Sequence, residues 1–259
     1  MRTVTSVRRH ANLSPIFVGT FNARSIHSKF TSITQWICNR RLHVAGVVET
    51  WHDSHDDPDL VICCPAGYAY VDKSRPRSGT LATNSCTNHG GVVLLYRTQY
   101  KAREVTLPDY KSFEYVSVFL QCSSFSALTV AIYRPGSTPA SECFFDELSD
   151  VLERVSTFSN LIIIDDTNLH LDSATDAHTD KFQHLLAIHN LRQHVSKSTH
   201  QHGHTLDVII TRDEQKVESI SVDPPTDAVW SFNGRRYTHS PHSTQPRRCS
   251  LCTLLMPAT

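Results

Sequence analysis

Short runs of consecutive apolar residues alternate along the chain with segments whose apolar positions recur every three or four residues. Residues 16–21 (Ile16-Phe17-Val18-Gly19-Thr20-Phe21) read as a buried strand, and Ile33, Trp36 and Ile37 share one face of a helix. Val44-Ala45-Gly46-Val47-Val48 is a second short strand. Residues 52–89 are polar and rich in Asp, Ser and Pro, and are expected to be mostly loop. Gly90-Gly91 opens a third strand at 92–96, and residues 116–120 and 127–133 look like neighbouring strands closed by Pro135-Gly136. The stripe 144, 145, 148, 151, 152, 155 predicts a helix. Leu161-Ile162-Ile163-Ile164 is the most apolar strand, 182–191 a further helix, and 206–210 the last clear strand. The order β-α-β, several β, then α-β-α-β suits a layered α/β sandwich with helices outside.

From Ser231 onward the periodicity stops and Ser, His, Pro and Arg dominate. The expected organisation is a loose leader over 1–14, one domain over 15–230, and an irregular, disordered tail over 231–259. The lone Cys249-Ser250-Leu251-Cys252 in that tail lacks two further zinc ligands at suitable spacing, so a metal role is not assigned to it. His200, His202 and His204 alternate, but Gly203 favours a turn, and a solvated loop is expected there.

Composition narrows the function. With 25 Lys+Arg against 25 Asp+Glu in 259 residues, the formal charge is zero. That argues against a high-affinity polyelectrolyte scaffold, and not against an enzyme that grips a few phosphates. No apolar run reaches the roughly 18 residues of a membrane span, and the basic start (Arg2, Arg8, Arg9) has no apolar signal core. No membrane association or obligate protein partner is expected. Eight scattered Cys give no disulfide framework, so reduced thiols are expected.

Polar residues recur where the apolar strands stop. Asn22 follows the first, Glu49 the second, Tyr133 the strand ending at 132, and Asp166 and Asn168 the strand ending at 164; Asp207 stands beside Leu206. Each alone is an ordinary turn residue. Together their types suit phosphodiester hydrolysis. A hard cation held by Glu49, with Asn22 near it, neutralises phosphate charge. Tyr133 and Asn168 hold phosphate oxygens without repelling them. Asp166 orients or deprotonates the attacking water, and an Asp-held histidine would donate to the phosphate.

At this point the motifs are recognisable. Thr20-Phe21-Asn22-Ala23-Arg24-Ser25, Val48-Glu49-Thr50-Trp51, Gly90-Gly91-Val92, Ile132-Tyr133-Arg134-Pro135, Ile163-Ile164-Asp165-Asp166-Thr167-Asn168 and the Thr199–Asp207 block occur in order. They resemble the endonuclease/exonuclease/phosphatase superfamily, in particular the apurinic-type endonuclease domain of non-LTR (LINE-like) retrotransposons. The resemblance implies a DNase I-like four-layer α/β sandwich of two packed mixed sheets, Mg²⁺ (or Mn²⁺) at Glu49, a DNA substrate nicked to start reverse transcription, and a nuclear site of action. It assigns Asn22 near the metal, Tyr133 and Asn168 to the phosphate, Asp166 to the water and Asp207 to orienting a histidine.

Three departures bear on activity. The glycine before the catalytic Asp is Asp165 here, which a left-handed backbone would strain, and the aromatic after it is Thr167. Ala228 stands where the resemblance expects that histidine, with His239 only a remote substitute. The reading is therefore an endonuclease weakened or inactivated at Ala228. The alternatives are a non-catalytic nucleic-acid-binding remnant and a phosphatase of the same superfamily.

Overall fold

The structure is a computed structural model that describes residues 13–75, 89–123, 125–137, 139–173, 175–200, 202–223 and 249–257. In chain order the elements are β1 (Leu13–Asn22), α1 (Phe30–Asn39), β2 (Val44–Val48), α2 (Pro58–Cys63), β3 (Tyr68–Lys73), β4 (Val92–Arg97), β5 (Lys101–Glu104), β6 (Glu114–Cys122) and β7 (Phe125–Tyr133). There follow α3 (Glu142–Arg154), β8 (Leu161–Asp166), α4 (Ala177–Ile188), β9 (Leu191–Gln193), β10 (Asp207–Arg212), β11 (Lys216–Val222) and β12 (Cys249–Pro257).

They form two six-stranded sheets, one ordered β11-β12-β1-β2-β4-β3 and the other β5-β6-β7-β8-β10-β9. Each is mixed in the same way. The central pair is parallel, β1 with β2 and β7 with β8, and the other pairings are antiparallel. Each parallel pair is crossed over by a helix, α1 in one sheet and α3 in the other.

The continuous apolar runs are explained by burial on both faces. Val44, Val48, Val92, Leu94, Ile162, Ile164 and Ile209 point between the sheets. Their neighbours Ala45, Val47, Val93 and Leu95 pack on Trp36 and Ile37 of α1 and Leu60 of α2. Leu161, Ile163, Val208 and Ile210 pack on Phe144, Leu148 and Leu152 of α3 and Phe182 of α4. Helix, sheet, sheet, helix gives the expected four layers.

Several expectations need correction. Within residues 52–89, expected to be mostly loop, the described part also carries a short helix and a strand. Asp57 caps α2, accepting from Asp59 N at 3.0 Å with Pro58 in the first turn, and β3 forms an edge strand. The tail is not irregular throughout. Cys249–Pro257 lies between β11 and β1 and is in register with Leu13–Phe21, so the strand at 206–210 is not the last. The helix expected at 182–191 begins earlier, at Ala177, and its final residue starts β9. Asp165 is not left-handed; it lies within β8, opposite Ile132 and Val208. Ala228 and His239 lie outside the described residues.

Candidate active site

The candidate residues collect at one rim because strand parity carries them there. Ile16 and Val18 in β1, Ala131 in β7, Ile162 and Ile164 in β8, and Ile209 in β10 face the space between the sheets. Two residues along a strand keep the same face. Continuing those columns to the rim gives Asn22, Tyr133, Asp166 and Asp207, so the inter-sheet core turns polar at one end. Register agrees. Asp166 lies opposite both Tyr133 and Asp207, and Asn22 opposite Val48, the residue before Glu49.

The centre is one side-chain amide. Asn22 Nδ2 donates to Glu49 Oε1 at 2.7 Å and to Asp166 Oδ2 at 2.8 Å. Two carboxylates from different sheets, 117 positions apart in the sequence, thus hydrogen-bond to a single nitrogen and lie within a few ångströms of each other. Only an N–H donor satisfies two carboxylates, which fixes the amide's orientation. Asn22 Oδ1 is then buried and has no hydrogen-bond partner among the described residues. An acceptor oxygen in that state, on the amide that binds Glu49, fits a hard cation with oxygen ligands. Among the described residues no cluster of three His, Cys, Asp or Glu could hold a metal, so any cation here would rest on a carboxylate and the amide oxygen.

Glu49 leaves β2 with φ +52°, and Trp51 follows at +58°. Such backbone costs about 1–3 kcal/mol per residue and persists where neighbours impose it. Here the chain after β1 extends the parallel ladder: Ala23 N donates to Val48 O (2.8 Å), Ser25 N to Glu49 O (2.6 Å) and Ile26 N to Thr50 O (3.0 Å). From the other side Trp51 N donates to Gly90 O at 2.8 Å. Gly91 has φ +96°, and a Cβ there would sit 2.4 Å from Thr50 Oγ1. A buried polar chain braces the loop further. Thr50 Oγ1 meets His52 Nδ1 at 2.6 Å, and His52 Nε2 meets Asp72 Oδ2 at 3.0 Å. His55 also bonds Asp72, which raises the His55 pKa; burial pushes the Asp72 carboxyl up, and the hydrogen bonds from His52 and then His55 outweigh it and hold that carboxyl below its ordinary range.

Asn168 is also left-handed, at φ +49°, a conformation Asn tolerates better than most residues. Its N–H donates to Asp166 Oδ1 at 2.9 Å and its Nδ2 to Arg134 O at 2.7 Å. Arg134 returns the contact, its guanidinium donating to Thr167 O and Asn168 O, both at 2.6 Å. Burial lowers the Arg134 pKa, and the Asp166 charge opposes that shift. The turn must pass close by, since a Cβ on Gly136 would lie 2.7 Å from Asn168 Oδ1. Tyr133 is 5% exposed; its hydroxyl reaches His89 O at 3.4 Å and its ring stands 5.6 Å from the Arg75 guanidinium carbon. Asp207 is held through its backbone, its N–H donating to Thr199 Oγ1 at 3.1 Å, as Leu206 N does at 2.9 Å.

All six named residues therefore sit at this rim, three of them joined through Asn22. Arg134, Thr199 and the Thr50–His52–Asp72 chain were given no role in the sequence. Arg134 and Thr199 stood inside quoted motifs, and an Arg between an apolar strand and Pro-Gly was the available signal. The alternating histidines form a turn in which His204 stacks on His170 at 4.2 Å and His204 Nδ1 meets Asp172 at 3.1 Å.

No protein-family model matches the sequence, and no curated protein matches it. Solved structures do. The chain is similar to the AP endonuclease LMAP of Leishmania major (TM-score 0.66, 12% identity, 94% of this chain and 88% of that one). It is similar to the endonuclease domain of TRAS1, a telomere-specific non-LTR retrotransposon (0.62, 14%, 94% and 99%). It is also similar to the human nocturnin catalytic domain (0.62, 17%, 95% and 94%). At these identities the likeness concerns the fold, and the two mixed sheets with flanking helices agree with it. The chain adopts the fold of these structures, a DNase I-like α/β sandwich.

Proposed function

We propose that this chain is a retrotransposon-type endonuclease domain that hydrolyses a DNA phosphodiester with Mg²⁺ or Mn²⁺, at a rate reduced by Ala228. The observation that carries the reading is Asn22 bridging Glu49 and Asp166 between the two sheets. The motifs of the sequence, and the TRAS1 domain among the structural relatives, favour the retrotransposon role. Such a role places the protein's work on chromosomal DNA, in the nucleus. No helix among the described residues is long and apolar enough to cross a membrane.

In hydrolysis, water attacks phosphorus, one P–O ester bond breaks, and the products are a phosphate monoester and a free hydroxyl. Water loses a proton and the leaving oxygen gains one. Asp166, fixed by Asn22 and by the Asn168 N–H, is the group that takes the proton from water. Tyr133 and Asn168 hold non-bridging oxygens. Glu49 and Asn22 Oδ1 would hold the divalent ion, which when bound supplies neutralisation of phosphate charge. The imidazole that the resemblance pairs with Asp207 is not provided by position 228, which is Ala, so the leaving oxygen takes its proton from solvent.

The test is nicking of supercoiled plasmid in Mg²⁺ against an EDTA control. Glu49→Gln and Asp166→Asn each lower any nicking at least about 100-fold, the scale of removing one catalytic group. Ala228→His raises it about as much. Plasmid binding without cutting in every variant supports the remnant instead, and strong nicking by the unaltered chain refutes the weakened rate.

A further inference from the structure

Beside the candidate active site lies an open hollow of about 380 Å³, lined by Arg75, Lys111, Arg134, Ser112, Ser137 and Ser141 among others, with no acid among the described residues of its lining. From these residues we infer that the hollow binds a second phosphate of the nucleic-acid strand whose neighbouring phosphodiester is cut. The inference rests on the proposed hydrolysis at Asp166 and adds a requirement to it: the substrate carries a row of phosphates.

Three observations lead there. The hollow joins the active site through shared residues, since Arg75 stands over the Tyr133 ring and Arg134 clamps the Thr167–Asn168 turn while also forming a wall. An anion in it would therefore lie beside one held by Tyr133 and Asn168. Its chemistry is that of a phosphate seat, with cationic side chains of both kinds and hydroxyl donors. Its floor is the start of α3, where Ser141 is the N-cap and Phe144 N points back at Ser141 Oγ (3.4 Å), so the helix adds a partial positive charge.

The nearby acids hold the walls in place. Glu114 takes Arg75 Nε and the Gly91 N–H. Glu147 takes the N–H groups of Lys111 and Ser112 at 3.0 and 2.9 Å, and the Ser112 hydroxyl. Those hydrogen bonds to Ser112 and Lys111 outweigh burial and hold the Glu147 carboxyl below its ordinary range. They anchor to α3 the loop that presents the Lys111 side chain. A substrate with a single phosphate has no use for a second cationic seat, whereas a DNA strand has a phosphate on either side of the one being cut.

The experiment is salt-dependent binding of the full chain to a fluorescein-labelled DNA duplex by anisotropy, in EDTA so that nothing is cut. Each phosphate contact contributes about 0.9 to the slope of log K against log salt. Lys111→Ala is expected to reduce that slope by about 0.9, and Lys111→Arg to restore it. Lys101→Ala, in the exposed edge strand β5 and not lining the hollow, leaves it unchanged. Lys111 is exposed, so its replacement leaves the core intact. An unchanged slope in Lys111→Ala, an equal loss in Lys101→Ala, or no binding by the unaltered chain overturns the inference. The two readings fail separately. Plasmid nicking with an unchanged slope keeps the hydrolase and removes the seat; a slope loss without nicking keeps the seat and removes the activity.

Discussion

Asn22 is constrained from two sides, because two buried carboxylates share its one nitrogen. Asn22→Asp keeps the shape, removes the donor, and places a third carboxylate beside Glu49 and Asp166. Leaving a buried charge uncompensated costs about 3–5 kcal/mol, so the urea midpoint of Asn22→Asp in EDTA should fall by that equivalent. A divalent cation that binds only the folded site should restore part of it through mass action, more than it stabilises the unaltered chain. Equal midpoints for the two chains in EDTA would show that the amide is not holding the carboxylates apart. The identity of these residues was legible in the sequence because each ends an apolar run. Their backbone was not: nothing in Val48-Glu49-Thr50-Trp51 announces two non-glycine residues at positive φ, which the Gly90–Gly91 segment and the chain after Asn22 impose from outside. The anchoring of Asp207 by Thr199 was equally hidden, because it is a contact between side chain and backbone across a turn.

Elements buried on both faces were legible and exposed ones were not. β2, β4 and β8 are unbroken apolar runs and declared themselves, whereas β3 and β5 are half-buried or exposed edge strands whose residues carry no strong alternation. One junction between elements has a pH consequence. His43, just before β2, donates its N–H to Phe17 O (2.7 Å), accepts Phe17 N on Nδ1 (2.9 Å), and stacks its ring on Phe17 at 5.4 Å. An Nδ1 that accepts must be unprotonated. Burial first, and the Arg97 charge second, push its pKa from 6.5 down to about 4. Between those values the unfolded chain takes up a proton that the folded chain refuses. Stability is therefore full above pH 6.5, is lost as pH falls toward 4, and loses nothing more from this group below that. Discounted for a partly exposed ring, the loss is about 2 kcal/mol. Urea unfolding at pH 7 and pH 4.5 should show His43→Gln losing about 2 kcal/mol less than the unaltered chain over that interval. Some slope should remain in the variant, because burial and Arg192 lower the His194 pKa in the same sense. Identical pH dependence in both chains would place the acid sensitivity elsewhere.

At the scale of the molecule, the two sheets repeat one plan, a helix-crossed parallel pair with antiparallel flanks, and the candidate residues Asn22, Glu49, Tyr133 and Asp166 come from the carboxyl ends of both parallel pairs. Ligands in open α/β sheets gather at such ends. That plan makes the end of the chain structural. β12 is in register with nine residues of β1, from Leu13 to Phe21, and is the strand on which β11 pairs. Composition misled here, because the segment from 231 onward is dominated by Ser, His, Pro and Arg and its apolar stretch is short. A strand's place in a sheet depends on a partner far away in the sequence, which local periodicity does not record. A chain ended at residue 230 would leave the β1 ladder with no neighbour on one side and strand β11 with none, exposing unpaired backbone next to Asn22. Such a truncation should lose its cooperative thermal transition, bind a hydrophobic dye and elute as aggregate in size exclusion. A truncated chain that stayed monomeric and melted like the full one would show that β12 adds nothing to the sheet, and that the rim holding Asn22 is fixed by β2 and the second sheet alone.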